Sequence, residues 1–329
     1  MAGTPSSDES GNLTGILLIS AGVAILTAMD VVAKWLVVAD YSVMQIMAIR
    51  GWIITALLLL WMTRNGGINV VKTKRPGAHA LRVVIGFAAP YLFFQSLATM
   101  PLADVTVIFF GATTFLVTAL SAVLLGEKVG IHRWGAVAIG FAGVMVAMRP
   151  GSEIFNVQAL YALGSGVSYA LLMIATRWLG PGEGILRLVF YYNFGMAIFA
   201  SLFLPAVFKP MPVDHMAMIG LMAALAVSGH LCMTRALTVA SIGVLAPFEY
   251  SALVWAALLG FLFFGHMPDA NVFIGAGIIV ACGLYMVHRE RLAARRRRLE
   301  QPAGDHALLL ADPMPVVVSV EIETDDEKI

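Results

Sequence analysis

Long apolar stretches, separated by short polar turns, fill most of the chain between Leu13 and His288. A helix needs about 20 apolar residues to cross about 30 Å of hydrocarbon. Stretches of this kind predict ten transmembrane helices, which run over 13–37, 42–61, 81–98, 103–125, 134–148, 157–179, 185–208, 216–236, 242–264 and 271–288. Backbone polar groups inside lipid must be satisfied within each segment, so the predicted fold class is an all-α polytopic membrane protein.

Basic residues are unevenly distributed among the predicted loops. Those that follow the even-numbered helices, together with the helix ends beside them, contain Arg64, Lys72, Lys74, Arg75, Arg82, Lys128, Arg133, Arg177, Arg187, Arg235 and the arginines of 289–298. The opposite loops contain only Arg149 and Lys209. Because loops rich in Lys and Arg stay in the cytoplasm, both termini are predicted to be cytoplasmic (N-in, C-in).

An internal repeat divides the apolar region in two. The sequence Gly126-Glu127, followed by Gly135, recurs about 140 residues later as Gly265-His266, followed by Gly275. Five helices per copy is an odd number, so the two copies must have opposite orientations in the membrane. Inverted repeats are a recurrent architecture of secondary transporters, whose substrate site lies near the midplane between the halves.

The predicted organisation has five parts. Two five-helix repeats are flanked by polar ends and joined by a linker. These parts are a polar N-terminal segment (1–12), the first repeat (13–148), the linker (149–155), the second repeat (156–288) and a basic, then acidic cytoplasmic tail (289–329) that we expect to be disordered.

Composition agrees with a membrane protein and excludes other classes. Hydrophobic residues make up 60% of the chain, charged residues 12%, and the mean hydropathy is +0.86. The net charge of +1 gives no reason to expect a nucleic acid partner. Cys232 and Cys282 lie inside apolar stretches and are too few for a zinc site, so we predict no metal and no cofactor.

The ends of the chain predict where in the cell the protein lies and which lipids it contacts. Residues 1–12 lack the basic region of a secretory signal, so the first helix is expected to remain, in a multi-pass protein of the inner (plasma) membrane. The arginines after helix ten predict contact with anionic lipids. Glycine-rich helix faces serve packing within and between chains, which leaves monomer and homodimer both open.

Several segments resemble one known family. Pro101-Leu-Ala-Asp104, Leu124-Leu-Gly-Glu127 and Asp30-Val-Val-Ala-Lys34 resemble the EamA-type repeat of the drug/metabolite transporter superfamily. Ala246-Pro-Phe-Glu-Tyr250 and Leu253-Val-Trp255 resemble the branch that includes S-adenosylmethionine-transporter-like members.

The resemblance implies ten helices in two inverted halves around a central cavity worked by alternating access. It does not name the cargo, because family members move many different metabolites. Thr114 replaces a proline common in the family, and His266 replaces the usual glutamate of the second repeat.

Ionisable and polar residues inside the predicted spans are the candidate site residues. Such groups are costly in lipid and almost always face a cavity or a partner. Counted along the helices, Asp30, Arg50 and Gln95 fall in the outer half of the membrane, while Tyr192, Asn193, His230 and Glu249 fall in the inner half. Two polar layers suit a cavity that opens alternately to each face.

Two interpretations fit Asp30, Lys34 and Arg50. Asp30 and Lys34 are four residues apart on one helical face, and Arg50 lies at similar depth in the next helix. They could form an ion cluster that only holds two helices together. Alternatively, Arg50 receives a substrate carboxylate with its two-pronged guanidinium, while Asp30 faces a substrate amine.

Glu249 follows Pro247, which disrupts the helical hydrogen-bond ladder nearby. With His230, it is a candidate proton carrier or cation ligand. The alternative is a structural hydrogen bond from His230 or Tyr192 to Glu249. Tyr250 and Trp255 are chosen as substrate-stacking residues because they are close to Glu249.

These observations favour a secondary transporter for a small organic metabolite, an amino acid or a derivative such as S-adenosylmethionine. Riboflavin or another aromatic metabolite or drug is the alternative cargo, and a non-transporting membrane scaffold or receptor is the alternative class. The chain lacks the HExxH and GxSxG motifs expected of an intramembrane enzyme. No lysine follows Gly164-Ser-Gly166 as in a P-loop, which argues against ATP and leaves proton coupling or exchange.

Overall fold

The computed structural model describes residues 7–66, 71–124, 130–149, 157–179 and 185–300, and every regular element among them is a helix. The twelve helices are α1 (Ser7–Val38), α2 (Val43–Gly66), α3 (Pro76–Ser96), α4 (Leu102–Leu124), α5 (Ile131–Met148), α6 (Val157–Leu179), α7 (Ile185–Ser201), α8 (Leu204–Val207), α9 (Val213–Val239), α10 (Ile242–Glu249), α11 (Ser251–Phe264) and α12 (Ala270–Glu300). The all-α prediction is confirmed.

Nine segments of the described chain are long and apolar enough to cross a membrane. The seventh predicted span, 185–208, is the one without such a segment, because it contains α7, which has 17 residues, and then the single turn of α8. The chain breaks at Leu202 and Phe203, and Pro205 begins the next turn without a backbone N–H to donate. The count of ten spans therefore depends on α7 also crossing the membrane.

The predicted helix 242–264 is not continuous. It divides at Tyr250 into α10 and α11, and Pro247 lies inside α10. Proline removes one hydrogen bond of the ladder and its ring crowds the preceding turn. The helix break therefore follows Pro247, the residue from which the sequence predicted a disruption, and it places Glu249 at the end of α10.

Helix pairing follows the repeat. In the register of the repeat, α6, α7, α9, α10–α11 and α12 correspond to α1 to α5. The packing of α1 on α9 is mirrored by α6 on α3, and that of α1 on α10 and α11 is mirrored by α6 on α4. The pairs α2–α7, α4–α11 and α5–α12 each join an element to its own counterpart. Such pairing is expected when two copies are related by an axis in the membrane plane.

Glycines allow the closest approaches between the two halves. A Cβ at Gly22 would lie 2.9 Å from the Gly229 carbonyl oxygen, and one at Gly275 would lie 2.6 Å from that of Gly143. The glycine faces predicted to pack closely include Gly143 and Gly275, where the prediction is confirmed, whereas Gly22 and Gly229 were not predicted. The prediction is wrong for Gly135 and Gly277, where a Cβ would meet nothing within 4 Å.

The C-terminal helix is longer than predicted. α12 continues to Glu300, so residues 289–300 are helical, although the sequence predicted a disordered tail from 289. Residues 301–329 and 1–6 lie outside the described residues. We call the end of the bundle where α1 stops and α4 begins the outer end, in keeping with the predicted topology.

Gly275→Val is expected to destabilise the bundle, because the added side chain would push α12 away from α5. Overpacking of this kind costs about 1–3 kcal/mol. Gly277→Val is the matched control, since it makes the same change two residues away in open space. The thermal unfolding midpoint in detergent measures both. Equal midpoints for the two variants would contradict the close α5–α12 contact.

Candidate functional site

Arg50 lies where several central helices converge. Its charge acts on Asp30 of α1, on Tyr192 of α7 and on His230 of α9. Its guanidinium carbon is 6.0 Å from the centre of the Phe94 ring of α3. The predicted outer and inner polar layers are therefore linked through one cation, with contributions from both repeats.

Arg50 keeps an N–H donor that forms no hydrogen bond. Its Nε is buried and has no hydrogen-bond partner. No ion pair joins it to Asp30 in the described part of the chain, although each acts on the other. A guanidinium has five N–H donors, and a buried donor without a partner is costly. This arrangement is better suited to a ligand that accepts hydrogen bonds from Arg50 than to a closed ion pair between Arg50 and Asp30.

Lys34 does not join this group. Its Nζ donates to the carbonyl oxygen of Met100 at 2.6 Å, and it lies 4.9 Å from the centre of the Phe264 ring. The carboxyl group that acts on it is Asp104, not Asp30. The predicted cluster of Asp30, Lys34 and Arg50 is wrong for Lys34, because the side chain extends toward the outer end of the bundle.

Glu249 ends α10 and is partly buried. Its charge acts on Tyr169 of α6 and on the adjacent Tyr250. The structural hydrogen bond considered for it is not formed, since His230 pairs with the Ala226 carbonyl at 2.7 Å and Tyr192 donates to the Gly86 carbonyl at 2.9 Å. Among the described residues, Glu249 has no hydrogen-bond partner.

Two tyrosines connect Glu249 to the rest of the group. Tyr169 lies close to both Glu249 and Tyr192, and its ring lies 5.4 Å from that of Phe109. Arg82 lies over the Tyr192 ring at 5.2 Å. The group thus combines two carboxyl groups, a cation with an unpaired donor and an aromatic wall, which is the chemistry needed to hold a zwitterionic or cationic organic molecule.

The family model of the EamA-like transporter family matches residues 13–149 and 157–288, which is nearly all of the helical region. The chain belongs to this family. It is a multi-pass membrane transporter and not an enzyme, and the alternative of a non-transporting scaffold is set aside.

Curated relatives of this EamA-like transporter have different cargoes. The S-adenosylmethionine uptake transporter of Rickettsia felis is 27% identical over 88% of this chain and 97% of its own length. The riboflavin transporter of Rhizobium johnstonii is 26% identical over 90% of this chain and 97% of its own length. The pseudopaline exporter of Pseudomonas aeruginosa is 27% identical over 72% and 84% of the two chains.

A solved crystal structure has the same fold. It covers 91% of this EamA-like chain and 100% of its own, with a TM-score of 0.54 and 18% sequence identity. At that identity the likeness shows the fold alone.

Three predicted site residues are not linked to the group by the described contacts. Gln95 donates to the Tyr91 hydroxyl at 3.0 Å, and Asn193 donates to the Val189 carbonyl at 2.9 Å, each within its own helix. Trp255 is partly buried on α11, and no described hydrogen bond or ring contact joins it to Glu249. Tyr250, by contrast, lies against Gly283 of α12 and approaches Thr114 of α4.

Sequence reasoning missed Arg82, which was counted as a loop residue. It lies inside α3 and is buried, with Nε donating to the Thr176 hydroxyl and an Nη donating to the Leu188 carbonyl, both at 2.7 Å. A signal was present: Arg82, Gly86, Ala89 and Phe93 recur at helical spacing on the buried face of α3. These hydrogen bonds join α3 to α6 and α7, and the Arg82 guanidinium packs against the Tyr192 ring.

Proposed function

We propose that this EamA-like transporter is a secondary carrier of the inner membrane, with both termini cytoplasmic. It moves an amino acid or an amino-acid derivative, with S-adenosylmethionine as the first candidate. The observation that carries this proposal is the Arg50 guanidinium, whose Nε is buried without a partner beside the Asp30 carboxyl group.

The chemistry of an α-amino acid fits these two residues. Arg50 offers paired donors to a carboxylate, and Asp30 offers an acceptor to an ammonium group. S-adenosylmethionine adds a sulfonium cation and an adenine ring. Glu249 supplies a second carboxyl group for the sulfonium, and Tyr169 and Tyr192 supply aromatic faces for the ring.

Alternating access is supported by the fact that both repeats contribute residues to the site. Asp30 and Arg50 belong to the first repeat, whereas Tyr192, His230 and Glu249 belong to the second. A rocking motion of one repeat against the other would change which face of the membrane reaches the site. The substrate would be bound between the moving parts in both conformations.

Glu249 is the proposed coupling residue, together with His230. A carboxyl group without a hydrogen-bond partner, at a helix break between the repeats, can take up a proton in one conformation and release it in the other. Substrate exchange is the alternative, and it would not need this residue to change its protonation.

Riboflavin is the second candidate cargo. Phe109 and Tyr169 form an aromatic pair beside the group, and a riboflavin transporter is among the full-length relatives. An uncharged isoalloxazine ring would use this wall, but it would not need the Arg50 and Asp30 pair. Dependence on Arg50 therefore separates the two cargoes.

Arg50→Lys is expected to lower S-adenosylmethionine uptake into proteoliposomes by roughly tenfold or more, because lysine keeps the charge but loses the paired donors. Arg64→Lys, an exposed residue at the end of the same helix, is the matched control. Both proteins must elute as monodisperse species. Unchanged uptake in Arg50→Lys would contradict the proposed carboxylate contact. Uptake of riboflavin alone would favour the second candidate.

Glu249→Gln is expected to abolish the response of uptake to an imposed proton gradient, because the amide cannot carry the proton. It should also weaken binding of S-adenosylmethionine, because the sulfonium loses the charge of its proposed carboxyl partner. Asp214→Asn makes the same change at an exposed position of α9 and should leave the response intact. Uptake at several pH values with and without a gradient measures this. A gradient response that survives in Glu249→Gln would rule out coupling through this residue.

A further inference from the structure

The Tyr192 ring of α7 is held at its hydroxyl, at one edge and over one face. The hydroxyl donates to the Gly86 carbonyl of α3 at 2.9 Å. The ring edge also lies against this glycine, since a Cβ at Gly86 would be 2.8 Å from the Tyr192 Cε2 atom. The Arg82 guanidinium carbon, one turn earlier in α3, lies 5.2 Å from the ring centre. Helix α3 therefore fixes the orientation of a ring that belongs to α7.

Gly86 leaves the space that this ring needs. A Cβ at Gly86 would also lie 2.7 Å from the Leu172 Cδ1 atom of α6. Non-bonded carbon atoms pack at about 3.5–4.0 Å, so a side chain at position 86 would displace Tyr192 or Leu172. The absence of a side chain at Gly86 is therefore part of what sets the position of the Tyr192 ring.

Arg82 is fixed by its own hydrogen bonds and is 8% exposed. Its Nε donates to the Thr176 hydroxyl of α6, and its Nη1 donates to the Leu188 carbonyl of α7, both at 2.7 Å. Two bonds from different helices set both the position and the plane of the guanidinium. A planar guanidinium stacks on an aromatic face in a way that a lysine ammonium cannot. Arg82 is therefore a rigid support for one face of Tyr192 rather than a group that binds cargo directly.

The opposite face of the Tyr192 ring is available to a ligand by the same accounting. In the described part of the chain, no aromatic ring stacks on Tyr192, and Arg82 is the one cation that lies over it. Arg50, whose charge also acts on Tyr192, lies over the Phe94 ring instead. An aromatic face close to the cation that is proposed to bind a carboxylate suits the ring of an amino-acid derivative.

We propose that Arg82 is a positioning residue that makes this transporter select a cargo with a planar ring. Arg82 holds one face of Tyr192, and the opposite face stacks on the adenine of S-adenosylmethionine while Arg50 binds the carboxylate. Gly86 is the second positioning residue, because it admits the Tyr192 ring. The inference rests on the proposed function and deepens it, since it assigns the selectivity for the ring to residues outside the charged group.

Binding of S-adenosylhomocysteine and of methionine to the purified protein, measured by isothermal titration calorimetry, tests this role. Both ligands have an uncharged thioether and the same amino-acid end, and they differ in the adenosyl group. The ratio of their Kd values therefore reports the ring contact apart from the contacts of Arg50, Asp30 and Glu249. In the parent protein, S-adenosylhomocysteine should bind more tightly than methionine.

Arg82→Lys should weaken S-adenosylhomocysteine binding by roughly tenfold and methionine binding by less than about twofold, because lysine keeps the charge but loses the plane that holds the stacking ring. Tyr192→Leu should change the ratio by the same factor. The double variant should be no worse than either single variant, because both changes remove one contact. Ser168→Ala is the matched control, since it removes another α6-to-α3 hydrogen bond, to the Ile85 carbonyl at 2.6 Å, and should leave the ratio unchanged.

A Kd ratio that stays at the parent value in monodisperse Arg82→Lys and Tyr192→Leu proteins would overturn the proposal. Equal weakening of both ligands in Arg82→Lys would also overturn it, because that result indicates a structural role only. If the parent protein binds riboflavin and neither thioether, the proposed cargo is wrong, and riboflavin then decides the role of Arg82. A loss of riboflavin binding of roughly tenfold in Arg82→Lys would support the positioning role, and unchanged binding would overturn it.

Discussion

The cost of a polar group in hydrocarbon is the constraint on which this structure depends. A charge in the membrane must be paired, solvated by backbone carbonyls or placed where a ligand or water can reach it. Arg82 and Lys34 follow the second course, through the Leu188 and Met100 carbonyls. Arg50 does not, since its Nε has no partner. The difference separates cations that hold the bundle together from the cation that is proposed to hold the cargo.

The polar groups of the candidate site come from both copies of the inverted repeat. Each repeat contributes residues to the charged group, and α5 and α12 pack on each other. The two copies are not identical in detail: Lys34 is bonded to the Met100 carbonyl beside Trp35, which is 37% exposed, whereas Trp178 is 62% exposed. Such asymmetry is expected of a single conformation of the proposed alternating-access carrier.

Apolar length predicted the helices well, because lipid imposes a length on any spanning helix. The spacing of residues along a helix could not predict the direction in which each side chain extends. Asp30 and Lys34 share a helical face, but a flexible lysine can extend along the helix to Met100, so the two belong to different groups. Arg82 was misplaced because a charge near a predicted helix end looks like a loop residue, and only packing shows that α3 begins at Pro76. The helix break beside Glu249 was predictable from Pro247, because proline removes a hydrogen bond from the helical ladder.

The most direct test of the proposed cargo site is the thermal unfolding midpoint of the purified protein with S-adenosylmethionine, methionine or riboflavin present. A ligand at about 100 times its Kd stabilises the folded state by about 2.7 kcal/mol, which is readily measured. The account predicts a rise with S-adenosylmethionine that Arg50→Lys removes and Arg64→Lys retains. A rise with riboflavin alone, equal in both variants, would contradict the assignment of Arg50 as the residue that binds a substrate carboxylate.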